Sequence, residues 1–161
     1  MEADAFEQAL RPLLRRGGAY AVSFLRDRTA AEDAVQQAAL QAWQRRAQFD
    51  RRRPFKSWWF GILRHHCLDQ LRAGKRIPLS TGADGPEPSS PADESVLDRL
   101  ALANAMDQLP ETQREALRLR YFADLTYEEL AQVLDIPPGT VMSRLHLARK
   151  ALTVLMTKED R

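Results

Sequence analysis

Residues 77–92, IPLSTGADGPEPSSPA, decide what this chain can fold into. Four Pro, two Gly and three Ser in that stretch cannot sustain a helix or a packed strand. The stretch reads as a flexible linker between a module of residues 1–76 and a module of residues 93–161. Each module is small but long enough to hold a core. A flexible chain of the linker's length spans roughly 20–24 Å r.m.s., with a stretched limit of roughly 55 Å.

Neither module contains a convincing period-2 run, so the expected fold class is all-α: two small helical domains joined by a flexible linker. In the first module, residues 4–26 form one or two helices broken near Gly17-Gly18. Thr29 and Glu32 pair as a capping box that opens a helix to about Gln48. Val35, Ala38, Ala39, Ala42 and Trp43 recur at helical spacing, and Asp33, Gln36, Gln37 and Gln41 lie off that face. After an arginine-rich loop, Pro54 starts a helix to about Ala73, with Gly74 as its cap. Its core stripe is Phe60, Leu63, Cys67 and Leu71.

The formal net charge is only +2, which taken alone argues against a strongly basic nucleic-acid binder. The distribution is uneven, however. Residues 44–76 carry ten basic side chains (Arg45, Arg46, Arg51, Arg52, Arg53, Lys56, Arg64, Arg72, Lys75 and Arg76) against Asp50 and Asp69, a net of +8. Residues 93–161 carry nine basic and twelve acidic side chains. Clustered charge of one sign attracts polyanions, whereas a merely solvated face mixes signs.

Several function classes are excluded by what is missing. With one cysteine, Cys67, the chain has no disulfide framework and no Cys-rich zinc site. His65-His66-Cys67 are consecutive on a helix, diverge around its axis and cannot chelate together, so no metal is expected. No Gly-rich phosphate loop appears among the seven glycines, so a nucleotide-dependent enzyme, a cofactor and a small-molecule substrate are not expected. No apolar run is long enough to cross a bilayer and the acidic N-terminus lacks the features of a signal peptide, which points to a reducing cytoplasm and no membrane insertion.

The second module has the plan of a helix-turn-helix. Residues 96–109 read as one helix, and Pro110 starts another to about Phe122. Thr126 and Glu129 form a capping box for a short helix to Leu134. A turn at Asp135-Ile136-Pro137 leads to a last helix from Pro138 to about Met156, with Val141, Leu145, Ala148 and Leu152 inward. In this motif the second helix enters the major groove and presents its N-terminal outward residues to base edges. Those residues are Thr140, Ser143, Arg144 and His146, on a stretch without acidic side chains. Arg149 and Lys150 are placed to hold the phosphate backbone.

These residues resemble a known family. The stretch from TYEELA at Thr126 through PPGTVMSRLHLARKAL, ending at Leu152, resembles region 4 of the sigma-70 superfamily in its extracytoplasmic-function form. AEDAVQQ from Ala31, with Ala42-Trp43, resembles region 2.2, and FKSWWFGILR from Phe55 with LDQLR from Leu68 resembles regions 2.3 and 2.4. The two motifs stand in the family's order on either side of the linker and cover nearly all the rest of the chain.

The resemblance implies a promoter-specificity subunit of bacterial RNA polymerase that performs no chemistry itself. Asp33, Gln36, Gln37 and Gln41 would face the coiled coil of the polymerase's largest subunit. Phe49, Asp50, Arg51, Arg52, Arg53, Lys56, Trp58 and His65 would recognise and open the minus-10 element. Thr140, Ser143, Arg144, His146, Arg149 and Lys150 would read the minus-35 element, while region 4 touches the polymerase flap. The two elements lie about 17 base pairs apart, roughly 55–60 Å at 3.4 Å per pair. An anti-sigma factor clamped over both modules is the implied inhibitor. Trp58 and Trp59 point about 100° apart on a helix and cannot do the same job, so at least one belongs to the core.

The chain also departs from the family pattern. Gln37 stands where Glu is common, His65 where Asn is common, and Met142 and Leu147 where Lys or Arg is common. The alternative reading is a sigma-like decoy that binds an anti-sigma factor without recognising promoters. A decoy need not keep the +8 segment. A one-component helix-turn-helix repressor leaves the segment from Asp33 to Trp43 unexplained.

Overall fold

The computed structural model describes residues 1–74 and 94–159, and every regular element among them is helical. Four α-helices form the N-terminal group: α1 (Ala3–Leu10), α2 (Leu14–Leu25), α3 (Arg28–Gln44) and α4 (Phe55–Gly74). Four more form the C-terminal group: α5 (Glu94–Asp107), α6 (Glu111–Tyr121), α7 (Tyr127–Leu134) and α8 (Pro138–Glu159). The expected linker at 77–92 lies outside the described residues.

The break between α1 and α2 is not at the glycine pair. It falls at the 3-10 turn Arg11–Leu13, where Pro12 has no N–H to give a continuing helix. Gly17 lies inside α2 for a different reason, because a Cβ there would sit 2.3 Å from Cη2 of Trp59. The glycine lets the largest buried side chain of α4 lie directly on the α2 backbone.

At the start of α3 the cap is Asp27 rather than Thr29, and its carboxylate accepts the Ala30 amide at 3.0 Å. Asp and Thr both cap well, and the choice moves the helix start by two residues. α3 ends at Gln44, and a 3-10 turn (Arg46–Gln48) replaces its expected last turn. Its buried face is made only of Ala31, Ala34, Ala38 and Ala42. Small residues at spacings of three and four allow α2 and α4 to approach closely. Val35 and Ala39 flank that face half-buried, and Trp43 lies 36% exposed.

α4 follows Pro54 directly and buries Ser57, Trp59, Phe60, Leu63 and Cys67. The core stripe stops at Cys67, because Leu71 falls in a final turn exposed along with Arg72, Ala73 and Gly74.

In the C-terminal group the Thr126 hydroxyl accepts the Glu129 amide at 3.2 Å, as the capping box requires. Asp135 closes α7 in the left-handed conformation at φ 53°. α8 begins at Pro138, and its Val141, Leu145 and Ala148 are buried with Leu130 and Ala131 of α7 in one apolar cluster. The two groups of helices also pack on each other, α4 against α7 and α2 against α6.

The glycine pair gives a paired test. Replacing Gly17 by Ala forces the ring of Trp59 to move and should destabilise the protein by about 1–3 kcal/mol. Gly18 has open space around a would-be Cβ, so Gly18→Ala should be neutral or stabilising by up to about 1 kcal/mol. Thermal denaturation of the two variants distinguishes them.

Candidate nucleic-acid interface

The arginine loop of residues 50–53 rests on an aromatic platform. Phe49 packs against Phe55 and Trp58 with ring centroids 5.5 and 5.0 Å apart, and Phe55 meets Trp58 at 5.6 Å and Phe6 at 5.7 Å. Phe6 in turn meets Trp43 edge-on at 5.4 Å, and the Arg46 guanidinium covers the Trp43 ring at 3.7 Å. Asp50 shapes the loop from inside. Its carboxylate accepts the Arg52 amide at 3.0 Å and the Arg52 Nε at 3.1 Å, and its carbonyl accepts the Arg53 amide. The Arg52 hydrogen bonds hold the Asp50 carboxyl below its ordinary range. Asp50 thus orders the loop, and Arg51, Arg52 and Arg53 stay exposed.

α4 divides the remaining expected minus-10 residues between two sides. Trp58 is half-buried and His65, seven residues on, is exposed with Nδ1 at 2.9 Å from the Gly61 carbonyl oxygen. They share a side of the helix. Lys56 lies about 160–180° around the axis from both. It does not join them, and its Nζ donates instead to the Asp124 carbonyl of the C-terminal group at 2.5 Å. Trp59 is fully buried, so the tandem tryptophans separate into one core residue and one surface residue.

On α3, Gln36 and Gln37 are exposed and make no side-chain hydrogen bond among the described residues. Asp33 accepts a hydrogen bond from Gln70, and the Gln41 Oε1 is 2.7 Å from His66 Nε2. Asp33, Gln37 and Gln41 fall at successive four-residue steps, which is a single row along the helix. α4 therefore orders both ends of the row and leaves its centre open.

The outer face of α8 carries the expected minus-35 residues. Ser143, His146 and Lys150 are exposed, and Thr140 and Arg144 are half-buried. The Ser143 hydroxyl donates back to the Gly139 carbonyl at 3.1 Å. Arg149 Nε donates to the Tyr121 hydroxyl at 2.9 Å, which fixes its guanidinium against α6. Met142 and Leu147 stand among these polar residues 56% and 52% exposed. Side chains of this kind suit apolar contact with a thymine methyl.

Comparison with known proteins decides what this pair of surfaces belongs to. The family model for sigma-70 region 2 matches residues 8–77, and that for sigma-70 region 4 matches residues 99–152. The ECF RNA polymerase sigma factor SigL of Mycobacterium tuberculosis is 35% identical over 142 residues, 85% of this chain and 80% of SigL. The chain belongs to the extracytoplasmic-function sigma factors of the sigma-70 family. The RNA polymerase sigma factor SigV of Bacillus subtilis is 31% identical over 140 residues, 87% of this chain and 84% of SigV. Among solved structures, the sigma factor RpoE in complex with the anti-sigma factor NepR from Bartonella quintana superposes with a TM-score of 0.74 and 30% identity, covering 99% of this chain and 100% of that one.

Region 2 also carries functional candidates that spacing does not reveal. Phe6, Trp43 and Phe55 support the loop from three separate helices. Arg64 belongs to the +8 segment but pairs with the buried Glu115 of region 4. A sequence signal for that pairing exists, since a basic first half and an acidic second half attract each other. It does not name the partners.

Cys67 is fully buried, and burial pushes its thiol up to about 12. The thiolate is the reactive form. An aromatic disulfide reagent at pH 8 should therefore label the folded protein at least about a hundredfold more slowly than the denatured protein. Comparable rates would place Cys67 outside the core.

Proposed function

We propose that this sigma factor docks on core RNA polymerase through Asp33, Gln36, Gln37 and Gln41, opens the minus-10 element with the 49–53 loop, Trp58 and His65, and reads the minus-35 element with α8. Residues 1–76 form the docking and melting domain in this reading, residues 93–161 the minus-35 domain, and residues 77–92 the tether between them. One observation carries it: a cationic loop on an aromatic platform and a helix-turn-helix with an acid-free outer face occupy one chain, in the order of regions 2 and 4.

The energetics fit strand capture. Unstacking a base costs a few kcal/mol, and stacking it on an aromatic ring returns about 1–3 kcal/mol. Arg51, Arg52 and Arg53 attract the displaced strand, and Phe49 and Trp58 offer ring surface beneath it. On α8, Thr140, Ser143, Arg144 and His146 face base edges, with Arg149 and Lys150 at the phosphates. Lys56 contributes charge on the far side of α4. The protein acts in the cytoplasm and catalyses no reaction of its own. An anti-sigma factor is its second protein partner.

Run-off transcription with core polymerase on a random promoter library tests this reading, which requires specific starts that depend on the added chain. No specific start would refute it. Arg144→Ala should lower transcription from promoters with a minus-35 element by about tenfold, the loss of roughly 1–3 kcal/mol from one bidentate base contact. Templates lacking that element should change little. Replacing Arg51, Arg52 and Arg53 together by Ala should slow promoter opening while affinity for core polymerase, read by native gel shift, stays within about threefold.

A further inference from the structure

The second helix of the helix-turn-helix offers few hydrogen-bond donors to base edges. Val141, Leu145 and Ala148 are fully buried and fix the inward side of α8. At about 100° per residue, Ser143 and Lys150 stand opposite them. Leu147 and Met142 lie on either flank, roughly 50° and 90° from the outward direction. Ser143 gives its proton back to the Gly139 carbonyl. Arg149 is held by the Tyr121 hydroxyl. Arg144 alone brings a guanidinium to the stretch from Pro138 to Ala148, and it is half-buried.

Large apolar side chains stand where donors are missing. Met142 and Leu147 are more exposed than any other large apolar side chain of α8 among the described residues. They lie about 140° apart around the axis, with His146, Lys150 and Ser143 between them. They therefore form no continuous apolar patch of the kind that a protein partner covers. Along the axis they are about 7.5 Å apart, on the order of two base-pair steps. In the major groove a base pair is apolar at one point only, the thymine 5-methyl group, which stands beside polar atoms. Two isolated apolar side chains set among polar ones match two such methyl groups. A phosphate matches neither.

We propose that Met142 and Leu147 are specificity-determining residues of the minus-35 contact, each packing on the 5-methyl group of a thymine, at two different base pairs. The inference rests on the promoter-directing reading and adds to it the base chemistry that α8 selects. A Lys or Arg at either position would reach guanine or a phosphate instead. Met142 and Leu147 supply no cation, so they add base preference without the nonspecific affinity that phosphate contacts bring.

The test uses the holoenzyme of core polymerase with the full chain, on a promoter selected from a random library. Deoxyuridine replaces each thymine of the minus-35 duplex in turn, which removes the methyl group and leaves every hydrogen-bonding group in place. At two positions the replacement should lower promoter affinity by about fourfold, the factor expected for one buried methyl group. Met142→Ser should abolish the effect at one of them and Leu147→Ser at the other, because a contact already lost from the protein side has nothing left to lose from the DNA side. Val154→Ser, which changes a comparably exposed apolar residue further along α8, should leave both effects intact. All three variants should bind core polymerase as the unaltered chain does. Deoxyuridine that changes nothing, or an effect that survives both substitutions, would overturn the proposal. So would a loss of affinity for core polymerase in Met142→Ser or Leu147→Ser, which would assign these side chains to a protein contact. A chain that directs no specific start refutes the promoter-directing reading and this inference with it; specific starts that ignore the methyl groups refute this inference alone.

Discussion

Helix α4 carries three duties, and the rest of the structure depends on how it divides them. One side buries Trp59, Leu63 and Cys67 in region 2, with Trp59 pressed against Gly17. Lys56, in line with that stripe at the start of the helix, and Arg64 beside it reach region 4. The opposite side holds Trp58 and His65 at the surface beside the arginine loop. A single rigid helix thereby fixes the strand-capturing residues relative to the core that supports them. The aromatic chain running from Trp43 through Phe6 and Phe55 to Phe49 and Trp58 ties the loop to α1, α3 and α4 together. Positioning of this kind limits the entropy lost when a flipped base is captured.

The near-zero net charge follows from the same arrangement. A basic region 2, an acidic region 4 and the acidic Asp84 and Glu87 between them give a total of +2, and the structure shows where the opposite charges of the two regions meet. The outer face of α8 lies off that meeting surface and keeps its own cations, Arg144, Arg149 and Lys150. A free chain of this design has little electrostatic pull on duplex DNA, because its strongest field is partly neutralised from within.

Local signals in the sequence carried most of the fold. The Thr126–Glu129 box, Pro138 at the start of α8, and the inward Val141, Leu145 and Ala148 all stand where spacing and capping chemistry put them. The misplacements arose where two local signals competed. Asp27 outcompetes Thr29 as the cap of α3, and Pro12 rather than Gly17-Gly18 breaks the first helix. Gly17 is explained by Trp59, a residue more than forty positions away, so no local rule reaches it. The same distance hid the placement of Lys56. Its charge marked it as a DNA contact, but its ammonium donates to the Asp124 carbonyl, a partner 68 positions away in the sequence. The exposed positions of Arg51–53, His146 and Lys150 were legible, because an arginine-rich loop and an acid-free helix face have no core to enter. The partners of Arg149 and Arg64 were not, since both are tertiary.

The central claim is that region 2 captures an unstacked base on the surface formed by the loop and Trp58. Stopped-flow fluorescence of 2-aminopurine placed in the minus-10 element reads base unstacking directly. With core polymerase and this chain, fluorescence should rise as the promoter opens. With Trp58→Ala the rise should be at least about tenfold slower, the loss of one stacking contact of roughly 1–3 kcal/mol, while core binding is retained. A promoter that stays closed with the unaltered chain, or one that opens equally fast with Trp58→Ala, would contradict the account.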